Sequence, residues 1–126
     1  MLLNFCTASP PASSILVIDD ELPILNMLKS SLTKKGFMVD TAQSGEEGLK
    51  KNDSNAYNII LTDIQMPGIS GIQVLNRLKE DTKNSARVIG MSGTPWLFEQ
   101  NNFDAVLSKP CSLNELKDTI DRVMSN

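Results

Sequence analysis

The chain contains no histidine. That excludes His-based nucleophilic triads, His–metal centres and any phosphohistidine of its own. Its two cysteines, Cys6 and Cys111, are too few for a disulfide framework and lack metal-ligand spacing, so a reducing cytoplasmic setting is expected. Basic residues are not in excess. Twelve Lys and Arg face fifteen Asp and Glu, for a net charge of −3. A chain without a basic stripe is a poor direct binder of nucleic acid, whose affinity comes from neutralising phosphates. No apolar run reaches membrane-spanning length. The apolar start, Met1-Leu2-Leu3-Asn4-Phe5-Cys6, has no Lys or Arg before it and meets Pro10-Pro11 too early for a secretory signal. Residues 1–13 are expected to be a loose tail, and residues 14–126 one domain. A length of 126 residues with 40% hydrophobic and 21% charged side chains suits a single folded core.

From Ser14 onward, short apolar runs alternate with stretches of helical period. Ile15-Leu16-Val17-Ile18 is β-branched and too short for a helix, so it reads as a buried strand. Leu25, Leu28 and Leu32 mark the first helix, opened by Pro23 and closed at Lys34-Lys35-Gly36. Phe37 to Ala42 is the second strand. The capping box Ser44-Gly45-Glu46-Glu47 then opens a helix that Gly45 and Gly48 should weaken and that is expected to end near Lys51. Asn58 to Asp63 is the third strand. It leads through Met66-Pro67-Gly68 to a helix capped by Ser70, with Ile72, Leu75 and Leu78 inward. Strands at about Arg87–Met91 and Asp104–Ser108 follow. A last helix begins at the capping box Ser112-Leu113-Asn114-Glu115 and turns Leu113, Leu116, Ile120 and Val123 inward. Five β-α repeats with continuously apolar strands predict an α/β fold, a parallel sheet covered on both faces.

Such sheets bind ligands beyond the carboxyl ends of their strands. Asp19-Asp20 stand there after the first strand, Asp63 after the third and Ser92 after the fourth, while Lys109 follows the fifth. Crowded carboxylates need a cation among them. An all-oxygen set without His or Cys selects a hard ion, Mg²⁺ before others. A cation, a lysine and a hydroxyl around one aspartate suit a phosphoryl group, which an aspartate can itself accept as an acyl phosphate.

With these residues in place, the chain from about Ser14 to Met124 resembles the receiver domain of two-component response regulators. The matching segments are Ile15-Leu16-Val17-Ile18-Asp19-Asp20-Glu21, Leu61-Thr62-Asp63-Ile64-Gln65-Met66-Pro67-Gly68, Met91-Ser92-Gly93 and Leu107-Ser108-Lys109-Pro110, in family order. The resemblance implies a flavodoxin-like, doubly wound (βα)5 fold with a five-stranded parallel sheet. It implies that Asp63 is the phosphoacceptor and that Mg²⁺ is held by Asp19, Asp20, the Asp63 carboxylate and the backbone carbonyl of Gln65. It implies that Ser92 is the switch hydroxyl, that Lys109 pairs with the phosphoryl group, and that Lys109-Pro110 is cis. The implied partners are a histidine kinase or phosphotransfer protein on one side. On the other stands a protein target, or an output domain of the same chain if this is an excised piece. A domain of this kind is a phosphoacceptor rather than an enzyme, catalysing only its own phosphorylation and dephosphorylation.

The chain also departs from the family. Only eleven residues, Gly93 to Phe103, connect the fourth and fifth strands, so the fourth helix is expected to be shortened, irregular or absent. The family's aromatic position three residues before the lysine is Val106 here. Trp96, Phe98 and Phe103 cluster in the shortened crossover, either filling the core where a helix is missing or forming a partner-binding patch. Gly93 should leave Asp63 accessible to small phosphodonors. Gln65 and Thr94 stand where the family tunes phosphoryl hydrolysis, and Cys111 stands where an apolar residue is usual.

Two other functions compete with this reading. A phosphate-hydrolysing enzyme with an aspartyl intermediate needs Asp-x-Asp after the first strand, which the adjacent Asp19-Asp20 do not supply. A phosphorylation-independent binding module that keeps the receiver fold is the alternative left open by the altered face.

Overall fold

A computed structural model describes residues 13–98 and 101–125. Apart from Ser13, the expected tail lies outside the described residues. Strands β1 (Ser14–Ile18), β2 (Met38–Ala42), β3 (Ile59–Asp63), β4 (Arg87–Ser92) and β5 (Ala105–Ser108) form one parallel sheet in the order β2-β1-β3-β4-β5. Helices α1 (Leu22–Lys34), α2 (Gly45–Ser54), α3 (Gly71–Glu80) and α4 (Leu113–Ser125) make the crossovers and the last layer. Among the described residues no helix is long and apolar enough to cross a membrane.

Alternation along the strands splits the core in two. Ile15, Val17, Ile59, Leu61, Ile89, Met91 and Leu107 meet Leu25, Leu28 and Leu32 of α1 and Leu116, Ile120 and Val123 of α4. On the other face Leu16, Ile18, Ile60 and Val88 meet Val74, Leu75 and Leu78 of α3. β1, β3 and β4 are apolar on both faces because both are covered. β2, at the sheet edge, alternates instead.

Two local features differ from the sequence reading. Helix α2 runs three residues beyond Lys51, to Ser54. Its glycines serve close approach, since a Cβ on Gly48 would overlap the Ile18 side chain and one on Gly45 would lie 2.5 Å from Ile69 Cγ1. In α3, Val74 rather than Ile72 joins Leu75 and Leu78 in the core. The helix enters through Gly71, whose N–H donates to the Ile64 carbonyl at 2.9 Å, and this sets the inward stripe at positions 71, 74, 75 and 78.

The crossover from β4 to β5 holds no α-helix among its described residues, in line with the shortened or absent fourth helix expected from its length. A single 3₁₀ turn, Pro95–Leu97, stands in its place. Eclipsed i, i+3 positions give such a turn a narrow inner side. Pro95 and Phe98 take it and are half-buried, while Trp96 points outward and is 65% exposed. Phe103 alone of the three aromatics packs into a core cluster, where it and Ile64 lie over Gly90 of β4. Core filling therefore holds for Phe103 and fails for Trp96.

Candidate functional site

The carboxyl ends of β1, β3 and β4 and the segment after β5 converge on one rim. Asp19 leaves β1 with its N–H donating to the Ala42 carbonyl at 3.1 Å, and it has no solvent exposure. Its Oδ1 accepts from the Glu21 N–H at 2.9 Å, a short Asx turn that swings Asp20 and Glu21 outward ahead of α1. Asp63 ends β3 and is 6% exposed. Immediately after it, Ile64 donates to the Met91 carbonyl at 3.0 Å, so the chain is pinned to β4 just beyond the carboxylate. Gly71 lies against the Asp63 backbone, where a Cβ would come within 2.5 Å of the Asp63 carbonyl oxygen. Gly68, at φ +77°, turns the chain back toward α3.

Lys109 is brought in from the opposite side. Its N–H donates to the Ser92 carbonyl at 2.8 Å, and the Lys109-Pro110 bond is cis, as the resemblance implied. Its ammonium Nζ lies 2.9 Å from Asp19 Oδ2 and 3.2 Å from Asp63 Oδ2, one cation between two buried carboxylates. Burial pushes the Asp63 carboxyl above its ordinary range, and the nearby Lys109 ammonium only partly opposes this. Burial also works against the Lys109 ammonium, but Asp19 and then Asp63 outweigh it and hold its pKa above the usual lysine value.

Ser92 ends β4, is 1% exposed, and lies in register with Ser108. Its Oγ accepts from the Thr94 N–H at 3.0 Å and lies 3.3 Å from the Thr94 hydroxyl. Gln65 sits in the turn after Asp63 with its N–H 3.4 Å from Asp63 Oδ1. Carboxylate oxygens of Asp19, Asp20 and Glu21 all lie within 4.8 Å of one another, an all-oxygen cluster whose chemistry fits a hard divalent cation. Glu21 was not singled out from the sequence, although its place beside Asp19-Asp20 was the available signal.

Also unread in the sequence was an apolar groove of about 290 Å³ beside the acidic rim, lined by Ile24, Met27, Met91, Lys109, Pro110 and Cys111. Met27, on the outer side of α1, is 57% exposed. Burial first, then the charge of Glu115, pushes the Cys111 thiol up and keeps it protonated.

Two carboxylates sharing an ammonium, beside a buried hydroxyl and an acidic cluster, are an arrangement with the chemistry to stabilise a phosphoryl group. TrrA of Thermotoga maritima, a response regulator crystallised with Mg²⁺–BeF, superposes with a TM-score of 0.80 at 34% identity, over 88% of this chain and 98% of that one. The same protein in complex with the histidine kinase ThkA gives 0.79 at 34% identity, over 88% and 97%. ResD, a transcriptional regulatory protein of Bacillus subtilis, is 37% identical over 68 residues, 54% of this chain. PhoP of the same organism, the alkaline phosphatase synthesis transcriptional regulatory protein, is 39% identical over 66 residues. Each match spans only 28% of the relative's own length. The model of the response regulator receiver domain matches residues 15–121, and the chain belongs to that family.

Proposed function

We propose that this receiver domain takes a phosphoryl group onto Asp63 from the phosphohistidine of a histidine kinase or phosphotransfer protein. A carboxylate oxygen of Asp63 attacks phosphorus in line, the P–N bond breaks, and its electron pair returns to the donor imidazole. The observation that carries this reading is Lys109 Nζ held between Asp19 and Asp63. In the resting site that ammonium offsets two buried charges, and it is placed to pair with the oxygens of an incoming phosphoryl group. Mg²⁺, when bound, supplies further neutralisation of the phosphoryl oxygens. Asp19, Asp20, the Asp63 carboxylate and the Gln65 carbonyl are the residues we assign to it, with Glu21 adjoining them.

The acyl phosphate replaces the single carboxylate charge of Asp63 with a group of roughly two negative charges and three strong acceptors next to the buried Ser92 hydroxyl. Ser92 then donates to a phosphoryl oxygen, and the segment after β4 follows. Hydrolysis of the acyl phosphate at the same site returns Asp63 to its resting state. We seat the donor against the groove that shares Lys109 with the acidic rim, whose lining is apolar apart from that lysine. Downstream lies a protein target or an output domain. A cytoplasmic setting agrees with the free thiol of Cys111.

The test is intact mass after incubation with a small-molecule phosphodonor, with and without Mg²⁺, beside Asp63→Asn. A Mg²⁺-dependent gain of one phosphoryl group, absent from the variant, is the expected result. If neither a mass gain nor binding of beryllofluoride occurs in the folded protein, the assignment gives way to a phosphorylation-independent binding module.

A further inference from the structure

Thr62, the residue of β3 just before Asp63, has no solvent exposure. Its neighbours in register are Ile18 of β1 and Gly90 of β4, a setting that valine would pack equally well. A buried hydroxyl is destabilising unless it is bonded. Here Thr62 Oγ1 donates to the carbonyl oxygen of Asp63 at 2.9 Å. That carbonyl stands where the ladder to β1 has ended. β1 pairs with β3 from Ile15↔Ile59 to Ile18↔Thr62, so Asp63 lies one residue past its last partner on that side. The next N–H along β1's chain, that of Asp19, donates to Ala42 of β2. The other end of the same peptide unit is held as well, since the Ile64 N–H donates to the Met91 carbonyl at 3.0 Å. Gly71 closes in on the Asp63 carbonyl, where any Cβ would come within 2.5 Å.

We propose that Thr62 is a positioning residue for phosphoryl transfer, its hydroxyl fixing the peptide unit between Asp63 and Ile64 and, through it, the direction of the Asp63 carboxylate. The inference rests on the assignment of Asp63 as phosphoacceptor. A planar peptide bonded at both its carbonyl and its N–H resists rocking, so the Asp63 Cα and the carboxylate it carries keep one orientation. In-line attack needs that orientation before phosphorus arrives, because freedom left to the nucleophile must be lost on the way to the transition state. The same peptide leads into Gln65, whose N–H lies 3.4 Å from Asp63 Oδ1 and whose carbonyl is assigned to Mg²⁺. Thr62 acts on the site only through the backbone of Asp63. The contacts of Lys109 with Asp19 and Asp63 do not involve it.

The experiment compares wild type, Thr62→Val, Thr62→Ser, Thr62→Ala and Asp63→Asn. Thr62→Val removes the donor and keeps the β-branched shape, whereas Thr62→Ser keeps the donor and loses a methyl. On each, the rate of mass gain with a small-molecule phosphodonor at saturating Mg²⁺ is measured, with beryllofluoride binding by fluorine NMR and the urea midpoint. In Thr62→Val the rate falls roughly two- to tenfold and beryllofluoride binds more weakly by a similar factor, the worth of one neutral hydrogen bond. Thr62→Ser returns both toward wild type even though the lost methyl lowers its urea midpoint. A merely structural role would not separate rate from stability in that way. Thr62→Ser and Thr62→Ala differ only in the hydroxyl, and the same gap between them decides the matter should Thr62→Val fail to fold. A wild-type rate in folded Thr62→Val, or rates that simply follow the urea midpoints, overturns the role of Thr62 and leaves the phosphoacceptor assignment standing. Neither mass gain nor beryllofluoride binding in wild type overturns both together.

Discussion

Replacing Lys109 by methionine keeps the aliphatic stem and removes the ammonium that faces two buried carboxylates. The Asp19 side chain is 0% exposed and that of Asp63 is 8%, so neither charge has water to turn to. Breaking a buried pair by deleting one partner costs about 3–5 kcal/mol, because the remaining charge stays desolvated. The Lys109 side chain is itself 24% exposed, which places the expected loss near the lower end, about 3 kcal/mol. In a domain of this size that lowers Tm by about 12 °C. Urea unfolding and calorimetry in the presence of chelator measure it. Adding Mg²⁺ should recover more stability in Lys109→Met than in wild type, since a cation at the acidic rim replaces part of the missing charge; saturation at a hundredfold excess over Kd is worth about 2.7 kcal/mol. A double-mutant cycle with Asp19→Asn should show a coupling of about 2 kcal/mol. A loss below about 1 kcal/mol, or additive single variants, would refute the account of Lys109 as the shared counter-charge.

Three further outcomes follow from the same geometry. Asp63→Asn should be more stable than wild type near neutral pH, because burial raises the Asp63 pKa. With a raised folded pKa the native state binds more protons than the unfolded chain between the ordinary value of 3.8 and the folded one. Wild-type stability therefore falls as pH rises through that window, and the advantage of the variant disappears below it. Lys109 keeps Asp19, its main partner, in that variant; an advantage independent of pH in denaturation curves would contradict the assignment. Gly71→Ala should destabilise by about 1–3 kcal/mol and slow phosphorylation, since its Cβ meets Asp63 and Ile64 backbone atoms, which have no rotamer to yield. Phe103→Ala should cost about 1–3 kcal/mol in urea unfolding, a half-buried fraction of the full aromatic value, whereas Trp96→Ala should stay within about 0.5 kcal/mol. The reverse order would place the core filling at the wrong aromatic.

Much of the fold was legible because its strands are continuously apolar and its caps are local. Ser70 caps α3 through Gln73, and Ser112 caps α4 through Glu115, as the spacing of those residues predicts. Ser44 accepts from the Glu47 N–H, but the Glu47 carboxylate reaches Gln43 rather than closing the box on Ser44. Local spacing specified the residues and left their partners open. Asp19, Asp63, Ser92 and Lys109 could be named in advance because a parallel sheet delivers its strand ends to one rim.

The chain alone determined the strand count, the sheet type, the charged residues at the rim and the brevity of the fourth crossover. These depend on periodicity, capping and length, which are properties of neighbours in sequence. Only the tertiary structure decided that Lys109 bridges Asp19 across 90 positions, that Val74 displaces Ile72 from the core, and that Phe103 covers Gly90 while Trp96 faces outward. Each of those outcomes depends on which surface arrives opposite a residue. That is set by packing between elements distant in sequence, where burial and charge pairing outweigh local pattern.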